Sequence, residues 1–129
     1  VIDPLVPETL TIASTGSVGS GIGMGNGTSN FPKLSDDGRY VLYRTNAPNL
    51  RGNLGNPNPV DWAVMVRDLQ AETTTNALRR ANGTPVLSNV TSYNWHAISG
   101  DGSVVAHTTG QTDMGDGSMD VQVYVNPRP

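Results

Sequence analysis

The chain writes the same short phrase twice. "LSDDGRYVLY" at residues 34–43 returns as "ISGDGSVVAH" at residues 98–107, with Ser35, Asp37, Gly38 and Val41 meeting Ser99, Asp101, Gly102 and Val105 at a constant offset of 64. The offset extends backwards without a gap, pairing Asn30 with Asn94, Thr11 with Thr75, Glu8 with Glu72 and Leu5 with Leu69. Forwards the register slips once, in the Asn- and Gly-rich "NLRGNLGNPNPVD", and resumes with Asp61 against Asp120 and Val66 against Val125. Self-similarity at a period of this size constrains a fold more than local propensity does, because each copy must be one structural unit that buries its apolar face against its neighbour. Two units, about 2–65 and 66–129, account for nearly all of the 129 residues, and no second domain remains.

Each copy reads as strands. Asp-Gly supplies a tight turn, because Gly takes positive φ and Asp tolerates it, and the runs on either side ("FPKLS" and "RYVLYRT", "NWHAIS" and "SVVAHTT") are β-rich. "DWAVMVRDL" and "DVQVYVNP" carry Val at alternate positions, and "ETTTNALR" has its relative in "ETLTIAS" near the N-terminus. The composition agrees with an all-β chain: 36% apolar, 15% charged and 15 glycines, with a single lysine, Lys33.

An apolar strand, Ser-x-Asp-Gly-Arg-Tyr-Val, an Asn-Leu loop and a strand closing in Arg-Asp-Leu together resemble the Asp-Gly β-propeller repeats related to the TolB and WD40-like blades. Ser35, Asp37, Gly38, Arg39, Tyr40, Val41, Asn49, Leu50, Arg67, Asp68 and Leu69 carry the likeness. The second copy departs from it at Ser103, Val104, Asn126 and Pro127. The resemblance implies an all-β fold of two four-stranded, propeller-like blades. Two blades cannot close a ring, so the ring or filament is expected to be completed by other copies or by a longer chain. The N-terminal strand should supply the fourth strand of the last blade. A trimer, a tetramer or a filament follows.

Several motifs invite chemistry. Ser35 and Ser99 with their aspartates suggest a nucleophile, but a turn repeated in both copies is better explained as hairpin chemistry. His96 and His107 fall opposite Pro32 and Tyr43, which are neither bases nor ligands, so both histidines are expected to be packed in strands. Glycines at every second position from Gly19 to Gly27 fit no phosphate-loop pattern and read first as a flexible connection, second as a side-chain-free face against another backbone. Trp95 is expected in the core. Trp62, beside the variable loop with Asn58, is a candidate for an interface or ligand contact. Asp113, Asp116 and Asp120 in "TDMGDGSMD" are the candidate metal ligands, and the ion that suits such oxygen donors is calcium; the alternative is a solvated acidic loop.

The net charge of −3 is dispersed and no basic patch exists to hold phosphates, so nucleic acid is not an expected partner. No apolar run approaches the roughly 20 residues of a membrane span. A chain opening on Val1 reads as a processed product or an excised piece. Its Thr-, Asn- and Gly-rich surface points to an extracellular or cell-surface setting. The expectation is therefore a non-catalytic extracellular module that assembles with copies of itself, the alternative a carbohydrate-binding lectin built from an oligomeric propeller.

Overall fold

A computed structural model describes residues 10–51, 62–80, 82–85, 96–109 and 122–129. Strands β1 (Ser29–Leu34), β2 (Tyr40–Thr45), β3 (Ala63–Asp68) and β4 (Thr73–Asn76) form an antiparallel sheet in the order β1-β2-β3-β4. Strands β5 (His96–Ile98), β6 (Val104–Thr109) and β7 (Gln122–Pro127) form a second antiparallel sheet, in the order β5-β6-β7. A short helix, α1 (Pro48–Arg51), follows β2. The chain is all-β, and the repeat is visible in its elements: β6 begins 64 residues after β2, and β7 begins 59 residues after β3, on the far side of the single register slip.

Period-two alternation sorts each strand into two faces. On one side of the first sheet Tyr40, Leu42, Val64 and Val66 join Ala77 and Leu78, and the second sheet closes over them with Val105, Ile98 and Tyr124. The two sheets therefore share one core. On the opposite side Tyr43, Ala63 and Met65 pack with Ala47 and Leu50 of the α1 region.

That opposite side is crossed by the glycine-rich segment. Arg67 donates to the Gly16 carbonyl at 3.1 Å, and Thr74 donates through Oγ1 to the Thr15 carbonyl at 2.6 Å. Ser14 and Gly25 are joined by a backbone bond of 2.9 Å, and Thr15 bridges to Met24. A Cβ at Gly25 would stand 2.7 Å from Leu50 Cδ1, and one at Gly27 2.6 Å from Asn46 Oδ1. The leading expectation of a flexible connection is thus corrected at these positions: lacking side chains, they let the segment lie close on the turn after β2. Nothing crowds Gly19, Gly21 or Gly23.

The described part of the N-terminal segment stands apart from both sheets. Residues 10–13 belong to neither sheet, Leu10 is fully exposed, and among the described residues β7 has no strand neighbour but β6. The hydrogen bonds that Thr74 and Ser17 exchange, 2.9 and 3.2 Å, hold the chain after residue 13 close to β4 of the first sheet.

The two Asp-Gly turns share a backbone but not their surroundings. Gly38 and Gly102 hold φ of 72° and 73°, and the space around Gly38 is open, whereas a Cβ on Gly102 would collide with the Tyr40 ring. Gly38→Ala should cost about 1 kcal/mol, the strain of a left-handed residue. Gly102→Ala should cost about 3 kcal/mol or more, since overpacking at the sheet junction is added to that strain. Urea unfolding midpoints of the two variants check the difference, and equal losses would mean that the second turn does not seat on Tyr40.

Candidate functional site

The serines of the turns are fully engaged in building them. Ser35 Oγ donates to Asp37 at 2.6 Å and accepts from the Tyr40 N–H at 3.0 Å, while Asp37 also accepts from the Arg39 N–H at 3.0 Å. The second copy repeats this in detail: Ser99 Oγ donates to Asp101 at 2.9 Å and accepts from the Val104 N–H at 3.0 Å, and Asp101 takes further bonds from the N–H and hydroxyl of Ser103. These hydrogen bonds, the Ser103 hydroxyl first among them, hold the Asp101 carboxyl down to about 2. Each serine is thus tied into its own turn, donating to a carboxylate that accepts two hydrogen bonds at Asp37 and three at Asp101.

The group that most resembles a binding surface lies at the other end of β2. Arg44 stands between two rings, its guanidinium carbon 4.5 Å from the centre of Phe31 and 4.3 Å from that of Trp62. Arg44 is buried, and burial lowers its pKa; the ring faces and a 2.7 Å bond from Nε to Asn30 Oδ1 offset the desolvation. Phe31 sits in a bulge where the β1–β2 register shifts, with φ of 53°, a strained conformation for a bulky residue. His96 of the second sheet donates from Nε2 to the Phe31 carbonyl at 2.6 Å, which fixes the bulge from the other side. The result is an aromatic ring held 55% exposed over a cation.

Beside this stack, on the far face of β1 and β2, lies an open cleft of about 290 Å³ lined by Ile12, Ala13, Ser14, Asn30, Pro32 and Tyr43 among others. That is close to the lower bound of ligand pockets. Asn30 borders both the cleft and the stack. Burial pushes the Tyr43 phenol up to about 12, so it offers no base near neutral pH.

A third surface is the outer face of the second sheet. Val104, Val123 and Val125 are 39%, 72% and 67% exposed, yet their repeat partners Tyr40, Val64 and Val66 are 4%, 5% and 3% exposed. The same positions are core in one copy and bare in the other.

Of the residues singled out from sequence, Trp62 joins the stack, and His96 and His107 are buried in strands. Asn58, Asp113, Asp116, Asp120 and Trp95 lie outside the described residues. Among the described residues no group of three His, Cys, Asp or Glu is placed to hold a metal, and no helix is long and apolar enough to cross a membrane. Sequence reasoning missed Phe31 and Arg44. The signal open to it was an aromatic immediately before Pro32 and an arginine in a strand otherwise poor in charge. No family model, no curated protein and no solved structure matches the chain.

Two outcomes follow from this geometry. Arg44→Met keeps the aliphatic stem but removes the cation, and should destabilise by about 1–2 kcal/mol in urea unfolding. For Asp101 the folded pKa is depressed, so its stabilising contribution is complete above the ordinary 3.8 and is lost as pH falls from there to about 2. Asp101→Asn should flatten the acid-unfolding curve across that window, and an unchanged curve would place the acid sensitivity elsewhere.

Proposed function

We propose that the chain is a non-catalytic, extracellular module of two propeller-like blades that assembles with copies of itself and serves as a structural or binding component. The observation that carries this reading is the outer face of the second sheet. A sheet with Val104, Val123 and Val125 bare, and with Ala97 and Pro127 exposed beside them, presents the face that the first sheet buries through Tyr40, Val64 and Val66. In a repeat architecture such a face is covered by the next unit, and a head-to-tail contact of this kind closes into a ring or extends into a filament. Among the described residues β7 has no strand neighbour but β6, and residues 10–13, the repeat relatives of 74–77, belong to neither sheet; both fit the same scheme, in which the N-terminal strand of one copy would serve as the fourth strand of another.

The absence of catalysis is part of the proposal. Ser35, Ser99, Asp37, Asp68 and Asp101 are all engaged by turn backbone or by Arg39, and the two histidines are enclosed between the sheets.

A carbohydrate-binding lectin is the second reading, favoured by the exposed and strained Phe31 next to Trp62, since apolar ring faces with a nearby amide such as Asn30 suit the stacking of a sugar ring.

Native mass spectrometry and sedimentation separate these readings. The unmodified chain should run as a trimer, a tetramer or a longer polymer. Val123→Asp with Val125→Asp should yield a folded monomer, because two carboxylates cannot be buried unpaired. A monomeric unmodified chain would overturn the assembly reading. Glycan-array binding that disappears in Phe31→Ala while assembly persists would favour the lectin.

A further inference from the structure

The two sheets are joined by a core that is lopsided. The first sheet and the residues directly after β4 contribute six buried apolar residues to it, Tyr40, Leu42, Val64, Val66, Ala77 and Leu78, and the second sheet contributes one, Val105, with Ile98 and Tyr124 partly buried. Much of the remaining space on the second sheet's side is taken by imidazole: His107 is 2% exposed and His96 is 7% exposed. They are direct cross-strand partners in the β5–β6 ladder, so their rings project side by side from the same face.

Both rings tie the second sheet to the first through Nε2, His96 directly and His107 by way of Asn126. The Phe31 carbonyl can only accept, so His96 donates to it from Nε2. Asn126 donates its amide to the Ala77 carbonyl of the first sheet at 3.2 Å and to the Pro127 carbonyl at 2.9 Å, which leaves its Oδ1 to accept from His107 Nε2 at 2.8 Å. With Nε2 as donor, a second proton must go to Nδ1. His107 Nδ1 is buried with no hydrogen-bond partner among the described residues, and Tyr124 stacks on the ring at 6.1 Å.

The ionisable groups around the pair give a proton no compensation. On the facing side of the first sheet they are Tyr40 and Arg44 of β2, Asp68 of β3 and Lys33 of β1; on the second sheet they are the histidines themselves and Tyr124. Arg44 and Lys33 are cations. The one carboxylate in this set, Asp68, is held in a bidentate pair by Arg39 at 3.0 and 2.8 Å.

We propose that His96 and His107 make the junction between the two sheets an acid-operated latch: closed while both rings are neutral, opened when a proton enters the pair. Burial holds the His107 pKa below the ordinary 6.5, with the neighbouring His96 adding to that shift and the Asn126 bond opposing it. The folded pKa is depressed because the fold favours the neutral ring. The contribution to stability is therefore complete above the ordinary value and is lost as pH falls below it through the folded value. The first copy carries Tyr43 and Pro32 at these repeat positions, so the device belongs to this junction alone.

The test is an NMR titration of the intact chain between about pH 8 and about pH 4.5, a range that spans imidazole ionisation. The His107 ring should titrate below a free imidazole. Resonances of Tyr40, Ala77 and Val105 at the junction should follow the same midpoint, while those of Tyr43 and Met65 on the opposite face should not. A His107 ring that titrates at its ordinary value would overturn the latch, as would a transition that moves both faces together. His96→Gln with His107→Gln retains amide donors and removes the titration; the junction resonances should then stay fixed across the range, and an undiminished acid transition in that variant would also overturn it. Should the double variant fail to fold, the titration of the unmodified chain decides alone.

Discussion

The contact on which the rest of the molecule depends is the seating of the second Asp-Gly turn on the first sheet. The Asp36 N–H donates to the Gly100 carbonyl at 2.9 Å, and the backbone of Gly102 lies flat against the Tyr40 ring where any side chain would intrude. Arg128 completes the seat, with its guanidinium 4.1 Å above the Tyr40 ring and its Nε donating to the Gly102 carbonyl at 2.7 Å. Arg39 approaches the same ring at 5.0 Å while bridging to Asp68. One ring thus sets the distance and register between two sheets that have no strand in common. Once Tyr40 and Gly102 are in place, Val105, His107 and Asn126 fall over Leu42, Val66 and Ala77, and the shared core forms.

Two copies of one pattern show unequal surfaces, since among the described residues only the first sheet has both faces covered. Alternation puts apolar residues on both faces of each copy. The first sheet is covered on one side by the second sheet and on the other by the glycine-rich segment with α1. Among the described residues the second sheet is covered on one side only, and Val104, Val123 and Val125 are exposed on the other. Exposed apolar surface of this extent on neighbouring strands is what an interaction face looks like. The substitutions in the second copy are consistent with a lighter cover: Ala106 and Thr108 stand where the first copy has Leu42 and Arg44.

Much of the framework was legible in the residues. The offset of 64, and its change to 59 after the variable loop, place β6 and β7 on the repeat positions of β2 and β3, and the Ser-x-Asp-Gly phrase builds the same hydrogen-bond network twice. Local chemistry dictates such turns, so local reading finds them. The Phe31–Arg44–Trp62 stack was not legible, because it joins the β1 bulge to the ends of β2 and β3, and a bulge has no signature in a single sequence beyond an unexpected residue before a proline. The same holds for the glycine-rich segment. Alternating glycines are compatible with a loose linker and with close packing, and only the positions of Leu50, Asn46 and Ala47 decide between them. The candidate cation loop and Asn58 lie outside the described residues, and the geometry adds nothing to their sequence reading.

The open edge and the open face of the second sheet meet on a single strand, and that coincidence restricts what can satisfy them. Among the described residues β7 pairs only with β6, leaving a backbone edge that another chain would be able to extend, and its Val123 and Val125 side chains form the bare face. A partner that added only a strand would leave the valines wet, and one that covered only the valines would leave the ladder of N–H and C=O groups unpaired. A sheet-bearing unit that brings its own extended segment satisfies both at once. This chain carries each half of that requirement: a sheet with two apolar faces, and residues 10–13 that lie outside any sheet although their repeat relatives reach into β4. The face they would approach differs from the one that receives the second sheet within the chain, since the glycine-rich cover with exposed Val18, Ile22 and Met24 lies over it. Self-association would therefore have to use the outer surface of that cover, and the apolar residues it displays give the bare valines a surface of matching polarity.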